Sequence, residues 1–319
     1  MKASVIIPTY KRAQYLQDAV ASIVAQDFPK NEYEILIVDN APQPIPELAA
    51  LCDPAGLPPV RYLHEPHNGL HNARHAGARA AQGEILVYVD DDVIAPPGWL
   101  GAMLEPYADL QVACVGGKTI PKFEDEPPAW LSQFGGNGGA YLSLLDLGEE
   151  TLELTWPRTV YGCNMSVRRS ALYQVGGFNP DGIGDRRLIW LRGDGETGLQ
   201  KKFYDAGYKV IYEPEAWLYH RVPASRLRPE YFYWRAFIQG ISDSYSHIRT
   251  NRFCVVKLLG YAGYCGLRAM LSYLTVLCGL GHRVWRRTSA WYWYGRAQHQ
   301  LRLALSPSLR THTLRERYL

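Results

Sequence analysis

Apolar and polar positions along the first third of the chain switch period several times. "SVIIP" (4–8) is a short apolar, β-branched run that predicts a buried strand. Residues 12–25 then place Leu16, Ala19, Val20 and Ile23 on one helical stripe. "YEILIVD" (33–39) and "VRYLHE" (60–65) predict two further strands, with turn chemistry and at most a short helix between them. "LHNARHAGARAAQ" (70–82) is alanine-rich and helical, and Gly83 is expected to end it. "EILVYVD" (84–90) predicts the fourth strand.

Strands alternating with helices imply a mostly parallel central sheet with helices on both faces. Ligands of such sheets bind beyond the carboxyl ends of the strands. Three polar clusters fall there: Pro8-Thr9-Tyr10, Asp39-Asn40 and Asp90-Asp91-Asp92. One crevice can gather all three. The middle, 113–225, is less regular, and "GGKTIPKFEDEPPAWLSQFGGNGGAYL" is rich in Gly and Pro. After about residue 226 the chain turns helical, aromatic and basic. These shifts predict a catalytic unit over 1–225 and a helical extension over 226–319.

Composition sharpens this picture. The 319 residues are 47% hydrophobic and 20% charged, enough for a full core and against wholesale disorder. The N-terminal apolar run is too short for a signal peptide and ends at Pro8. Six cysteines without a CxxC pair or a His cluster suit a reduced, cytosolic compartment. The net charge of +3 is uneven. Residues 251–319 carry eleven Lys or Arg against one acid, Glu316, a net of +10 that leaves −7 on the rest. A basic, aromatic tail on an acidic body suggests an anionic surface as partner. Nothing points to nucleic acid.

The chemistry starts at the aspartates. Three adjacent carboxylates repel unless water or a cation meets them. Mg²⁺ and Mn²⁺ take carboxylate oxygens and share them with substrate phosphates. Residues alternate in direction at a strand end, so Asp90 and Asp92 need not share a role. A solvated turn remains the alternative.

"SVIIPTYKR", "EILIVDN" and "HNGLHNARHAGARAAQGEILVYVDDD", in this order and spacing, resemble the family 2 glycosyltransferases over about residues 1–225. The resemblance implies a GT-A nucleotide-diphospho-sugar transferase fold, an inverting, non-processive transfer from a nucleotide-sugar, typically a UDP-sugar, and Mn²⁺ or Mg²⁺. It implies that Pro8, Thr9 and Tyr10 line the nucleobase pocket and that Asp39 hydrogen-bonds the base. Gly69, Asn72, Ala73 and Arg74 match a G-x-x-x-A-R-N-x-G segment near the nucleotide, with His75 replacing the usual Asn. Asp90 would contact ribose or sugar, Asp92 the metal, and Asp91 is a donor-site residue without a defined role. "YGCNMSVRR" (161–169) resembles a G-x-N-M segment under the sugar, which puts Asn164 beside the donor; a plain buried strand is the alternative.

"LRGDGETGL" (191–199) occupies the place of the family's paired acids. Aligned on Thr197 and Leu199, the second acid is Glu196, the first is replaced by Gly195, and a frequent later acid is replaced by Gly198. Glu196 is the expected general base, with Asp194 as the substitute. His220, after "AWLY", would complete the metal shell, and Arg221 and Arg226 are candidates for the diphosphate. The setting implied is bacterial surface polysaccharide or glycolipid assembly, with a saccharide or lipid-linked acceptor.

Two rivals stand beside this reading. A nucleotidyltransferase would show a Gly-rich phosphate loop where this chain has "PTYKRAQY". A sugar-nucleotide-binding scaffold without a base is suggested by the altered acidic motif. The tail lacks Q-x-x-R-W, and its longest uncharged stretch, 269–281, is short of the roughly 20 residues that span a bilayer. Trp285, Trp291, Trp293 and the nearby arginines suit a peripheral contact with the inner face of the cytoplasmic membrane. Packing on protein is the alternative.

Overall fold

The computed structural model describes residues 1–135, 138–279 and 282–319. The last two residues of the uncharged tail stretch and two of the central Gly-rich loop lie outside them. The chain opens with β1 (Ala3–Thr9), α1 (Ala13–Val24), β2 (Tyr33–Asp39), α2 (Pro46–Ala49), β3 (Val60–His64), α3 (Leu70–Ala80) and β4 (Ile85–Val89). It continues through β5 (Val93–Ile94), α4 (Trp99–Leu104), β6 (Val112–Phe123), β7 (Leu152–Leu154), β8 (Asn164–Arg168) and α5 (Arg169–Gln174). Then come α6 (Gly195–Asp205) and β9 (Lys209–Val222), and finally α7 (Pro229–Asn251), α8 (Val255–Leu277), α9 (Arg283–Leu305) and α10 (Pro307–Leu314).

The sheet runs β3-β2-β1-β4-β8-β6-β9-β5, with β7 paired to β9. It is parallel from β3 to β4, as the alternation of elements requires. Beyond β4 it becomes mixed. β8 runs antiparallel to both β4 and β6, and β9 is parallel to β6 but antiparallel to β5 and β7. Unbroken parallel pairing therefore runs only from β3 to β4, with one further parallel pair, β6 and β9, beyond it. The irregular middle of the sequence hid this, because β8 enters from the opposite side.

The stripe Leu16, Ala19, Val20 and Ile23 is buried against one face of β1 and β2. α3 covers the other face, but it stops at Ala80 and Ala81 turns extended. Gly83 is thus not its cap. A side chain at 83 would collide with the backbone of Ala3 and Ser4, so glycine there allows the close approach to β1.

The extension does not stand apart from the catalytic unit. His299 on α9 reaches the Trp190 carbonyl, His312 on α10 reaches the Leu191 carbonyl, and Arg302 stacks 3.7 Å over Trp190. The C-terminus returns to the turn after α5, where the Tyr318 and Leu319 amides both donate to Gly176 O. α8 behaves differently. Only Leu258, Cys265 and Val276 of its 23 residues are buried, while Val256, Leu267, Met270, Leu271, Leu274 and Leu277 are exposed. No helix among the described residues is long and apolar enough to cross a membrane.

Candidate active site

β4 delivers the three aspartates to the carboxyl edge of the sheet, as its apolar run requires. Asp91 and Asp92 are almost fully buried there. Asp91 accepts from Thr9 Oγ1 at 2.7 Å and pairs with Arg12 Nη2 at 2.6 Å. Burial pushes its carboxyl above the ordinary range, against the pull of Arg12. Asp92 Oδ2 takes Arg12 Nη1 at 2.9 Å and Arg226 Nη2 at 2.7 Å. Burial alone would raise Asp92, but His220, Arg226 and Arg12 outweigh it and hold the carboxyl well below the usual range.

Asp90 and Asp92, expected to face apart, bring ligand atoms within 4.8 Å of each other and of His220. β4 ends at Val89, and the turn through Asp91 and Asp92 brings Asp92 back beside Asp90. His220 sits on β9, with Nδ1 3.0 Å from the Leu142 carbonyl. A carbonyl only accepts, so Nδ1 carries a proton and Nε2 is turned into the site. Nε2 lies 3.1 Å from Asp92 Oδ1 and 3.3 Å from Arg226 Nη1. Two carboxylates and an imidazole fit a divalent ion of the Mn²⁺ or Mg²⁺ kind.

A second charged cluster forms where α3 meets α6. Arg74 is 2% exposed, not the surface arginine its helix allowed. Its guanidinium sits against Phe178 and Tyr88, donates to Gly162 O at 3.2 Å and pairs with Glu196 Oε2 at 3.2 Å. A side chain at 162 would overlap that guanidinium, which explains the glycine of the "YGCNM" segment. Glu196 opens α6, where the helix N-terminus favours an acid. Burial and Asp181 raise its carboxyl, and Arg74 opposes them.

Asp181 was not foreseen. It is 6% exposed and pairs with Arg192 at 2.7 Å. A Cβ at Gly195 would collide with its carboxylate, and Gly195 takes φ +48°. The second departure has the same form. A Cβ at Gly198 would meet the Asp194 carboxylate and the Asn179 amide. Both acids missing from the motif are thus matched by carboxylates arriving from other positions. Only the aspartate in "GGFNPDG" hinted at this, and nothing local tied it to residue 195.

Asp194 is held by other partners. It accepts from Asn179 Nδ2 at 2.7 Å and Ser246 Oγ at 2.6 Å, and burial raises its carboxyl. It lines a separate cleft of about 450 Å³ with Lys202, Ser246 and Arg249. Asn164 is also redirected. Its oxygen takes Trp99 Nε1 at 2.9 Å, and its amide donates to Lys118 O at 3.1 Å and Ala216 O at 2.8 Å. It ties β8 to β6 and β9 and presents no free amide proton to a donor. Asp39 holds the loop after β2, accepting from Ala41 N, Ile45 N and Tyr62 Oη, each at 2.9 Å.

Pro8 and Thr9 end β1 beside Asp91, and half-buried Tyr10 follows them. Asn72 donates to the Asn68 carbonyl at 3.1 Å and shapes the turn into α3. His75 answers the question its substitution raised. Its Nε2 accepts the Phe178 amide at 2.9 Å, and burial lowers its pKa to about 3. Arg12 was missed because "TYKR" reads as an ordinary helix entry.

The family description "Glycosyl transferase family 2" matches residues 4–176. A glucosyl-dolichyl phosphate glucuronosyltransferase of Haloferax volcanii is 27% identical over 257 residues, covering 76% of each chain. Succinoglycan biosynthesis protein ExoM of Rhizobium meliloti is 25% identical over 279 residues, covering 83% of each. Among solved structures, Staphylococcus aureus TarS 1-349 in complex with UDP-GlcNAc aligns over 93% of this chain and 90% of its own, with TM-score 0.54 and 17% identity. A mannosyltransferase from Pyrobaculum calidifontis in complex with GDP-Man and Mn²⁺ aligns over 75% of this chain and 62% of its own, with TM-score 0.54 and 20% identity. At these identities the structures show the shared GT-A fold. The family match ends before the carboxylates at 181–196.

Proposed function

The chain belongs to glycosyl transferase family 2 and is a glycosyltransferase, and from that premise we propose an inverting, non-processive transfer of a sugar from a UDP-sugar to an acceptor hydroxyl. The observation that carries the reading is the pairing of two clusters. One is Asp90, Asp92 and His220. The other is Glu196 held by Arg74. A leaving diphosphate needs positive charge, and an attacking hydroxyl needs a base.

In this reading Glu196 takes the proton of the acceptor hydroxyl. The oxygen attacks the anomeric carbon from the side opposite the diphosphate. The bond to the diphosphate breaks as the new bond forms, so one displacement inverts the configuration. A divalent cation held by Asp92, Asp90 and His220 would supply charge against the departing diphosphate. Arg12 and Arg226, both on Asp92, are placed to meet the same phosphates. Pro8, Thr9 and Tyr10 flank the nucleotide side, and Asp39 reaches the base through the loop it now holds. Residues 1–225 are assigned to this chemistry and 226–319 to the extension.

The acceptor is proposed to be lipid-linked or a saccharide. The similarity to a dolichyl phosphate enzyme and to a succinoglycan biosynthesis protein supports this. α8 supports a peripheral membrane contact. Its leucines and methionine are exposed, Met270 lines a cleft with Trp291, and residues 251–319 hold one acid against eleven basic residues. That contact would set the enzyme at the cytoplasmic face.

A melting-temperature screen tests the donor. UDP, UDP-glucose, UDP-N-acetylglucosamine, GDP and GDP-mannose are each added with and without Mn²⁺. UDP ligands are expected to raise the melt more than GDP ligands, because a ligand of the folded state stabilises it by mass action. Asp92→Ala is expected to remove the Mn²⁺-dependent part. If no nucleoside diphosphate moves the melt, the reading fails.

A further inference from the structure

We propose that Asp181, arriving from the loop after α5, supplies the second carboxylate of the acid–base cluster and acts as a positioning residue for Glu196. The proposal rests on Glu196 being the base. Its ground is a substitution in space. Position 195 carries no side chain, and the Asp181 carboxylate fills the volume where that side chain would begin. The Asp181 carboxylate therefore lies against the backbone immediately before Glu196, and its charge raises the Glu196 carboxyl.

Asp181 is itself held firmly. Its Oδ1 accepts from Gly182 N at 2.6 Å and from Arg192 at 2.7 Å. Its carbonyl accepts from Leu70 N at 2.9 Å, and its amide donates to His71 Nδ1 at 3.1 Å. The carboxylate is therefore fixed to the start of α3, the helix that also carries Arg74. The charges run Arg74, Glu196, Asp181, Arg192: plus, minus, minus, plus. Two adjacent carboxyls between two guanidiniums retain a proton more readily than one alone. Burial and Asp181 both push Glu196 up, which suits a group that must accept a proton near neutral pH. Arg74 from α3 faces Glu196 directly, Tyr161 and Cys163 face it from the segment before β8, and Arg192 stands behind Asp181.

The test follows Glu196 directly by carbon-13 NMR of the full chain labelled at glutamate carboxyls, with the Glu196 signal assigned as the one absent from Glu196→Gln. In Asp181→Asn, which keeps the shape and the Arg192 contact zone, the Glu196 midpoint is expected to fall by about one pH unit or more. In Asp181→Gly/Gly195→Asp, which moves the carboxylate across the same space, it is expected to return toward the wild-type value. The midpoint reports only on folded molecules, so partial loss of fold does not mimic the result. An unchanged midpoint in Asp181→Asn overturns the proposal. Transfer activity reads the base assignment separately. If Glu196→Gln still transfers sugar, that assignment fails whatever Asp181 does to the midpoint.

Discussion

Replacing Arg74 by methionine separates the buried ion pair from the packing around it. Methionine keeps the stem and much of the volume between Tyr88 and Phe178. It removes the partner of Glu196, the donor to Gly162 O and the cation beside two aromatic rings. Breaking a fully buried pair from one side costs about 3–5 kcal/mol, and a desolvated cation–π contact adds up to about 2. The Glu196 side chain is 26% exposed, so water takes over part of the lost solvation. The net expectation is a loss of about 2–3 kcal/mol near neutral pH.

The loss depends on pH with a definite sign. Burial and Asp181 already raise Glu196, and only Arg74 among its close partners opposes them strongly. Without Arg74 the native carboxyl holds its proton to higher pH than the unfolded chain, which releases it near about 4.3. The native state then binds more protons than the unfolded state, so stability falls as pH rises through that window. Urea unfolding of wild type and Arg74→Met at about pH 5 and about pH 8 reads the difference as a midpoint shift at constant slope. A deficit clearly larger at about pH 8 is expected. An equal deficit at both pH values, or less than about 0.5 kcal/mol at either, refutes the pairing argument.

His75→Asn tests a buried neutral histidine. Native His75 stays neutral down to about 3, while the unfolded ring takes a proton below about 6.5, so wild-type stability falls with acid by up to about 1.4 kcal/mol per pH unit from this group; the variant is expected to show a shallower fall in urea midpoint from about pH 7 to about pH 5, and an identical fall refutes it. Met270→Glu/Leu274→Glu places two charges on the exposed face of α8. Its melting temperature is expected to stay close to wild type while sedimentation with phosphatidylglycerol vesicles drops several-fold, and undiminished sedimentation removes the membrane role of α8.

Several elements were legible because their signal is local. β2 spans 33–39 as its apolar run reads, and α1 buries the four stripe residues. The aspartate triplet was recognisable because three charges at the end of an apolar strand are costly without a partner. Other residues are engaged by remote partners that the motif does not show. Asn164 reads as a motif residue, but Trp99, Lys118 and Ala216 take its amide. Asp194 reads as a spare acid one position from the motif, but α7 folds back and Ser246 claims it.

The amino-acid order alone determined the alternation of strands and helices, the family and the edge of the sheet where carboxylates gather. Period, turn chemistry and motif spacing act within a few residues or recur in register, so they survive in one dimension. Tertiary structure decided which charges meet. Arg74 and Glu196 are joined across 122 positions, and Arg226 and Asp92 across 134. It also decided that Gly195 and Gly198 are not losses, since carboxylates of Asp181 and Asp194 occupy their space. A charge acts over a few ångströms in a buried site, whatever its distance along the chain. The completeness of an acid–base site is therefore a property of the folded volume, not of the motif.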